Sequence, residues 1–247
     1  MAAPAAPGTV ARGAAAAGRR GCAVIEHVLP GRVVTECAYD DEEHPGEGLF
    51  PQERELVARA VESRRREFTT VRRLARRALG RLGRSPAPIL PNRRGAPQWP
   101  PGVVGSMTHC TGYRAAAVSS VAESAAVSID AEPDAPLPAG VLETVTLPSE
   151  RALLAGLGRR RPDIAWDRMY FSAKESVFKA WYPLTGRELD FDEAEIAFDA
   201  AAGTFSARLL VPGPVVGGRS VPVFPGRWHA DRGLLVTAVH LPPPPAA

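Results

Sequence analysis

FSAKESVFKAW, Phe171 to Trp181, holds the only two lysines, Lys174 and Lys179, of a 247-residue chain; of its 30 basic residues the other 28 are arginine. Tyr170, Ala173, Val177, Ala180 and Trp181 recur at helical spacing, so the stretch reads as one helix running from about Trp166 to Trp181 with its apolar face buried. Pro183 and Gly186 end it. Glu175 and Lys179 leave on another face, where the i, i+4 spacing allows a surface ion pair worth about 0.3–0.5 kcal/mol. Lysine persisting only here argues for more than that, because a compact ammonium and a planar guanidinium are not interchangeable at a binding site.

Working outward, Ser149 to Leu157 reads as a preceding helix. Glu193 to Phe198 and Thr204 to Leu210 read as a hairpin through DAAAG, and Gly233 to His240 as a closing strand. Upstream, Val103 to Thr108, Tyr113 to Ser119 and Ala125 to Asp130 read as three neighbouring strands. Before them lies a Pro/Gly-rich connector and a helix with Val71, Leu74, Ala75, Ala78, Leu79 and Leu82 on one side and Arg72, Arg73, Arg76 and Arg77 on the other. Thr69 or Thr70 is its expected cap and Gly83 its end. Helix and strand groups thus occur twice, which predicts an α+β fold. The expected division is a flexible tail over 1–20, halves over 21–122 and 123–241, and a flexible tail over 242–247.

A hydrophobic content of 45% is enough for a sizeable core, and a net charge of +3 excludes a uniformly basic or acidic chain. The basic charge is local, with ten arginines between Arg59 and Arg84. Cys22, Cys37 and Cys110 are odd in number and far apart, so neither a disulfide framework nor a cysteine zinc site is expected, and a reducing cytoplasm fits best. No stretch approaches the roughly 20 apolar residues of a membrane span.

The second acidic pair lies in SIDAEP. Asp130 and Glu132 share one face of an extended strand, where two hard carboxylates suit Mg²⁺; a turn before Pro133 is the plain alternative. GSMTHC supplies Ser106, Thr108 and His109 at a strand end, a polar cradle for phosphate beside the arginine-rich helix.

Taken together and in order, GSMTHCTGYRAAAVS, SIDAE and FSAKESVFKAWYPLTGR resemble the 4′-phosphopantetheinyl transferases of the larger, monomeric type, which activate carrier proteins of siderophore, peptide and polyketide synthesis. RRREFTTVRRLARRALGRLG and GAPQWP extend the resemblance over about Arg64 to Gly186. It implies two similar α/β halves in a pseudo-twofold arrangement with the active site in the cleft between them. The implied reaction moves the 4′-phosphopantetheine arm of coenzyme A onto a serine of an apo acyl or peptidyl carrier protein and releases adenosine 3′,5′-bisphosphate. Asp130, Glu132 and Glu175 would hold Mg²⁺, and Lys174 and Lys179 would contact phosphate. Ser106 and His109 would bind the nucleotide end, and Arg64 and Arg72 its phosphates. Arg93 or Arg94 would replace a basic connector residue that the family commonly has. Glu175 is the implied general base and Lys179 its catalytic partner. The family also implies a cytoplasmic monomer.

Two other readings use the same residues. The arginine block could bind nucleic acid, although it has few interleaved aromatics and no groove-reading motif. The carboxylates could equally serve a metal-dependent nuclease or another phosphotransferase.

Overall fold

In the computed structural model the described residues are 22–41, 44 and 46–243. The tail expected over 1–20, and residues 244–247 of the second tail, lie outside them. Among the described residues six α-helices and ten strands follow in order: α1 (Ala23–Glu26), β1 (Val34–Ala38), α2 (Pro51–Leu56), α3 (Glu62–Arg81), β2 (Val103–Cys110), β3 (Tyr113–Ser120), β4 (Ala126–Pro133), α4 (Val141–Val145), α5 (Pro148–Arg160), α6 (Trp166–Thr185), β5 (Ala194–Asp199), β6 (Thr204–Leu209), β7 (Val215–Val216), β8 (Arg219–Ser220), β9 (Val223–Asp231) and β10 (Leu234–Leu241).

Two antiparallel sheets carry the fold, one ordered β1-β3-β2 and the other β4-β10-β9-β6-β5, with β7 and β8 as a small ribbon. Strand alternation sorts side chains between three cores. From β3, Ala116 and Val118 face Leu74, Ala75, Ala78 and Leu79 of α3. Its alternate residues Tyr113, Ala115 and Ala117 face Val127, Ile129 and Ala131 of β4 and Leu234, Val236 and Ala238 of β10, with Val24 and Ile25 of α1 plugging the end. The opposite face of the larger sheet, through Leu235 and Val239, receives Ala173, Val177 and Trp181 of α6. The layers are therefore helix, sheet, sheet, helix.

Small side chains let α6 lie close to its sheet. Ser172 and Ser176 meet Thr237 of β10 at 2.9 and 2.6 Å, and Ser128 of β4 donates to the Ser176 carbonyl at 2.6 Å. Satisfying these hydroxyls against one another removes the cost of burying them.

Two expectations change, and a strand appears where none was read. First, α3 begins at Glu62, a turn and more before Thr69 and Thr70, whose hydroxyls instead donate to the carbonyls of Arg65 and Arg66 within the helix. Glu62, paired with Arg65 and Arg66, supplies the negative charge that the helix start favours. Second, VFPGRWHAD forms the interior strand β9 despite its Pro-Gly. A Cβ on Gly226 would lie 2.1 Å from the Phe205 ring, so glycine admits a neighbouring aromatic rather than making a turn. Third, Cys22 and Cys37 are disulfide-bonded, their Cα atoms 5.4 Å apart. The turn from α1 into β1 brings them together, a proximity with no signature in spacing.

Candidate active site

The two sheets meet along β2 and β4 through side chains rather than a backbone ladder. Ser106 donates to the Ile129 carbonyl at 3.4 Å, and Thr108 accepts from the Ala131 amide at 3.0 Å while donating to Asp130 Oδ1 at 3.3 Å. Since Val127, Ile129 and Ala131 face the inter-sheet core, Ser128, Asp130 and Glu132 face the other way, toward α6. Lys179 of α6 donates to Asp130 Oδ1 at 2.6 Å, and Arg168 at the start of the same helix meets Glu132 at 3.0 Å. Lys179 thus pairs with a carboxylate of the strand it packs on and not with Glu175 along its own helix.

Glu175 lies between these partners. Burial raises its carboxyl above the ordinary range, Lys179 lowers it and Asp130 raises it again. Glu132 is raised by burial and by Asp130, against the lowering effect of Arg168. Asp130 is buried, and its Oδ2 has no hydrogen-bond partner. A buried carboxylate oxygen without a donor is costly, and a cation is its natural complement. Among the described residues no three acidic, imidazole or thiol groups are already drawn together as a cage. Asp130, Glu132 and Glu175 are nonetheless hard oxygen donors, and the orphaned oxygen among them is of the chemistry that suits Mg²⁺.

Beside this cluster opens a groove of about 820 Å³, a size usual for small-molecule sites. Arg64, Phe68 and Arg72 of α3, Arg94 and Trp99 of the connector, and Ser106 and His109 of β2 line one side; Glu175, Phe178, Lys179 and Tyr182 of α6 line the other. The structure therefore brings Arg64, Arg72, Arg94, Ser106, His109, Glu175 and Lys179 around one space. Glycine at 105 is required there, since a Cβ would sit 2.6 Å from the Ala117 carbonyl and 2.9 Å from Val118.

Several polar groove residues have protein partners that orient them. His109 meets Glu67 through Nδ1 at 3.0 Å and Arg64 through Nε2 at 3.0 Å. Burial lowers its basicity, Glu67 raises it, and Arg64 and Lys179 lower it. Arg94 is exposed and pairs with Glu188 at 3.2 Å. Arg72, read on the helix side opposite the apolar one and as a phosphate contact, is buried: its Nε donates to the Ile89 carbonyl at 2.9 Å and its guanidinium lies 4.2 Å over Phe68. Burial pushes its pKa down to about 10, which leaves it cationic at neutral pH. Arg73 is buried as well.

Lys174 departs from its expected place. Its ammonium is buried and directed away from the groove, donating to Glu150 Oε1 at 3.0 Å and to the carbonyls of Phe191 and Ala194 at 2.7 and 2.5 Å. Three acceptors use all three of its protons. Glu67, Glu150 and Arg168 were not singled out from the sequence. Glu67 is an acid embedded in an arginine block, and Glu150 sits at the third position of its helix, where it accepts the Leu147 amide at 2.7 Å.

The arginines of α3 are largely spent within the molecule. Arg65 and Arg66 pair with Glu62, Arg76 with buried Glu53, Arg77 with Glu47 and Arg81 with Glu36. Among the described residues no helix is long and apolar enough to cross a membrane.

Comparison with known proteins gives the family. Residues 52–119 match the family model of the 4′-phosphopantetheinyl transferase N-terminal domain, and residues 126–214 match that of the 4′-phosphopantetheinyl transferase superfamily. The chain belongs to the 4′-phosphopantetheinyl transferases. It is 64% identical over 222 residues to 4′-phosphopantetheinyl transferase Svp of Streptomyces mobaraensis, covering 90% of each chain. It is 44% identical to the transferase PptT of Mycobacterium tuberculosis, over 88% of this chain and 98% of the relative. With the transferase Npt of Nocardia iowensis it shares 45% identity, over 87% of this chain and 99% of the relative. The two matched regions of the transferase flank the side-chain seam between β2 and β4.

Proposed function

We propose that this 4′-phosphopantetheinyl transferase takes coenzyme A into the groove between α3 and α6 and transfers its phosphopantetheine arm to a serine of an apo acyl or peptidyl carrier protein. The two halves are read as a pseudo-twofold pair. In support, each packs one 20-residue helix, α3 or α6, on an antiparallel sheet. The reading is carried by one observation: a cationic wall formed by Arg64, Arg72 and Arg94 faces Glu175 and Lys179 of α6 across one groove, and Lys179 reaches behind it to the Asp130 carboxylate.

In this reading Arg64, Arg72, Ser106 and His109 hold the phosphorylated nucleotide end, with Arg94 at the rim. Asp130, Glu132 and Glu175 are the residues that would hold Mg²⁺. When bound there, the ion would offset the charge of the pyrophosphate. Lys179, already at the Asp130 carboxylate, places a compact positive charge where charge builds on the departing phosphate oxygen. Glu175 takes the proton from the serine hydroxyl, directly or through a water. Its raised pKa makes it a stronger base than an exposed carboxylate. The serine oxygen then forms the new bond to the phosphorus that carries pantetheine, the bond to the other pyrophosphate half breaks, and adenosine 3′,5′-bisphosphate leaves. Lys174 has no contact in this scheme, because its protons are already used elsewhere.

The decisive measurement is the intact mass of an apo carrier protein incubated with the transferase, coenzyme A and Mg²⁺, with and without EDTA. The expected result is a metal-dependent gain of one phosphopantetheine arm, lost in Glu175→Gln. Unchanged modification by a folded Glu175→Gln protein would refute the assignment of the base.

A further inference from the structure

The first turn of α6 holds a clamp. Arg168 precedes Glu175 by about two helical turns, so both side chains leave the same side of the helix. Its guanidinium uses all three nitrogens: Nη1 donates to Glu132 Oε2 at 3.0 Å, Nε to the Ala135 carbonyl at 3.1 Å and Nη2 to the Pro136 carbonyl at 2.9 Å. Two aspartates reinforce it, Asp167 accepting from the Leu137 amide at 2.8 Å and Asp134 from the Ala165 amide at 2.9 Å. The chain leaving β4 is thereby fastened to the start of α6, and only the Nη1 bond reaches a carboxylate of the acidic cluster.

The geometry assigns direction to this contact. A planar guanidinium already fixed by two backbone carbonyls cannot follow a wandering carboxylate, so it is Glu132 that is held. With Oε2 engaged by Nη1, Oε1 is the oxygen outside that bond. The pair is mostly buried, the side chains of Arg168 and Glu132 being 19% and 18% exposed, so it lies within reach of little competing water. Partners of this kind commonly change metal affinity 10–100-fold when removed.

We propose that Arg168 is a positioning residue that presets Glu132 for a divalent cation. The inference rests on the assignment of Asp130, Glu132 and Glu175 to the metal. A lysine cannot replace it, because one ammonium cannot span a carboxylate and two carbonyls in the same fork.

The test is Mn²⁺ binding to the full-length protein, read from the electron paramagnetic resonance signal of free Mn²⁺ without coenzyme A or carrier. Arg168→Lys and Arg168→Gln are expected to bind roughly ten-fold or more weakly than the parent. Asp134→Ala loosens the same segment without touching Glu132, and is expected to bind as the parent does. Parent-like binding by both Arg168 variants, with weakened binding in Glu132→Gln, would overturn the role of Arg168 and leave the metal assignment standing. Parent-like binding by Glu132→Gln would overturn the metal assignment itself. Equal weakening in Asp134→Ala and Arg168→Gln would assign the effect to general order of the segment and also overturn the proposal. Should thermal unfolding show Arg168→Gln to be misfolded, the charge-retaining Arg168→Lys decides.

Discussion

Replacing Lys174 by methionine separates a buried structural lysine from a phosphate ligand. Lys174 and Glu150 are each only 1% exposed at the side chain. The ammonium also carries the carbonyls of Phe191 and Ala194, while Glu150 accepts the amides of Leu147 and Ile196 at 2.7 and 2.6 Å. Removing one member leaves a buried charge without its partner, at a cost of about 3–5 kcal/mol. For a domain of this size each kcal/mol moves the midpoint by roughly 2–4 °C, so Lys174→Met should melt roughly 6–20 °C lower. Removing both charges, in Lys174→Met with Glu150→Leu, should recover part of that loss. Full recovery is not expected, since four backbone groups lose their side-chain partners. Thermal unfolding by circular dichroism gives the midpoints, and steady-state modification of a carrier protein, normalised to folded enzyme, gives the KM for coenzyme A. A Lys174→Met protein with the parent midpoint and a raised KM for coenzyme A would refute the reasoning and return Lys174 to the phosphates.

Gly105→Ala forces a methyl group against the Ala117 carbonyl and Val118, and should destabilise by about 1–3 kcal/mol in urea unfolding. Glu175 has a folded pKa raised by burial, so its contribution to stability is fully present below the ordinary carboxyl value near 4.5 and is lost as pH rises through the folded value. In EDTA at neutral pH, Glu175→Gln should therefore melt higher than the parent, and the difference should close as pH falls below about 4.5; equal midpoints at neutral pH would contradict this. Glu67→Gln withdraws the carboxylate that raises His109, so the His109 ring should titrate at still lower pH by NMR. An unchanged titration would show that Arg64 and burial alone set it.

How far the sequence could be read depended on the range of the interaction. The α6 helix and its apolar face follow from local periodicity, and Tyr170, Ala173, Val177, Ala180 and Trp181 are all buried. The common face of Asp130 and Glu132 follows from strand geometry alone. What local patterns could not supply was the direction of long side chains. Lys174 and Lys179 look alike in the motif, yet they leave α6 toward different neighbours, one to Glu150 and one to Asp130. The burial of Arg72 depends on the Ile89 carbonyl, far along the chain, and on Phe68 beneath it. The Cys22–Cys37 bond needed the path from α1 to β1, and β9 was hidden by a Pro-Gly pair whose glycine serves the Phe205 ring.

The inter-sheet core has a consequence for how this protein can be cut. Two family models divide the chain near residue 120, but Tyr113, Ala115 and Ala117 find their apolar cover on β4 and β10, beyond that division. Severed there, each fragment would present a sheet face with no lining of its own, an adhesive surface in solution rather than a soluble half. The two matched regions share this core, so each serves as the lining of the other.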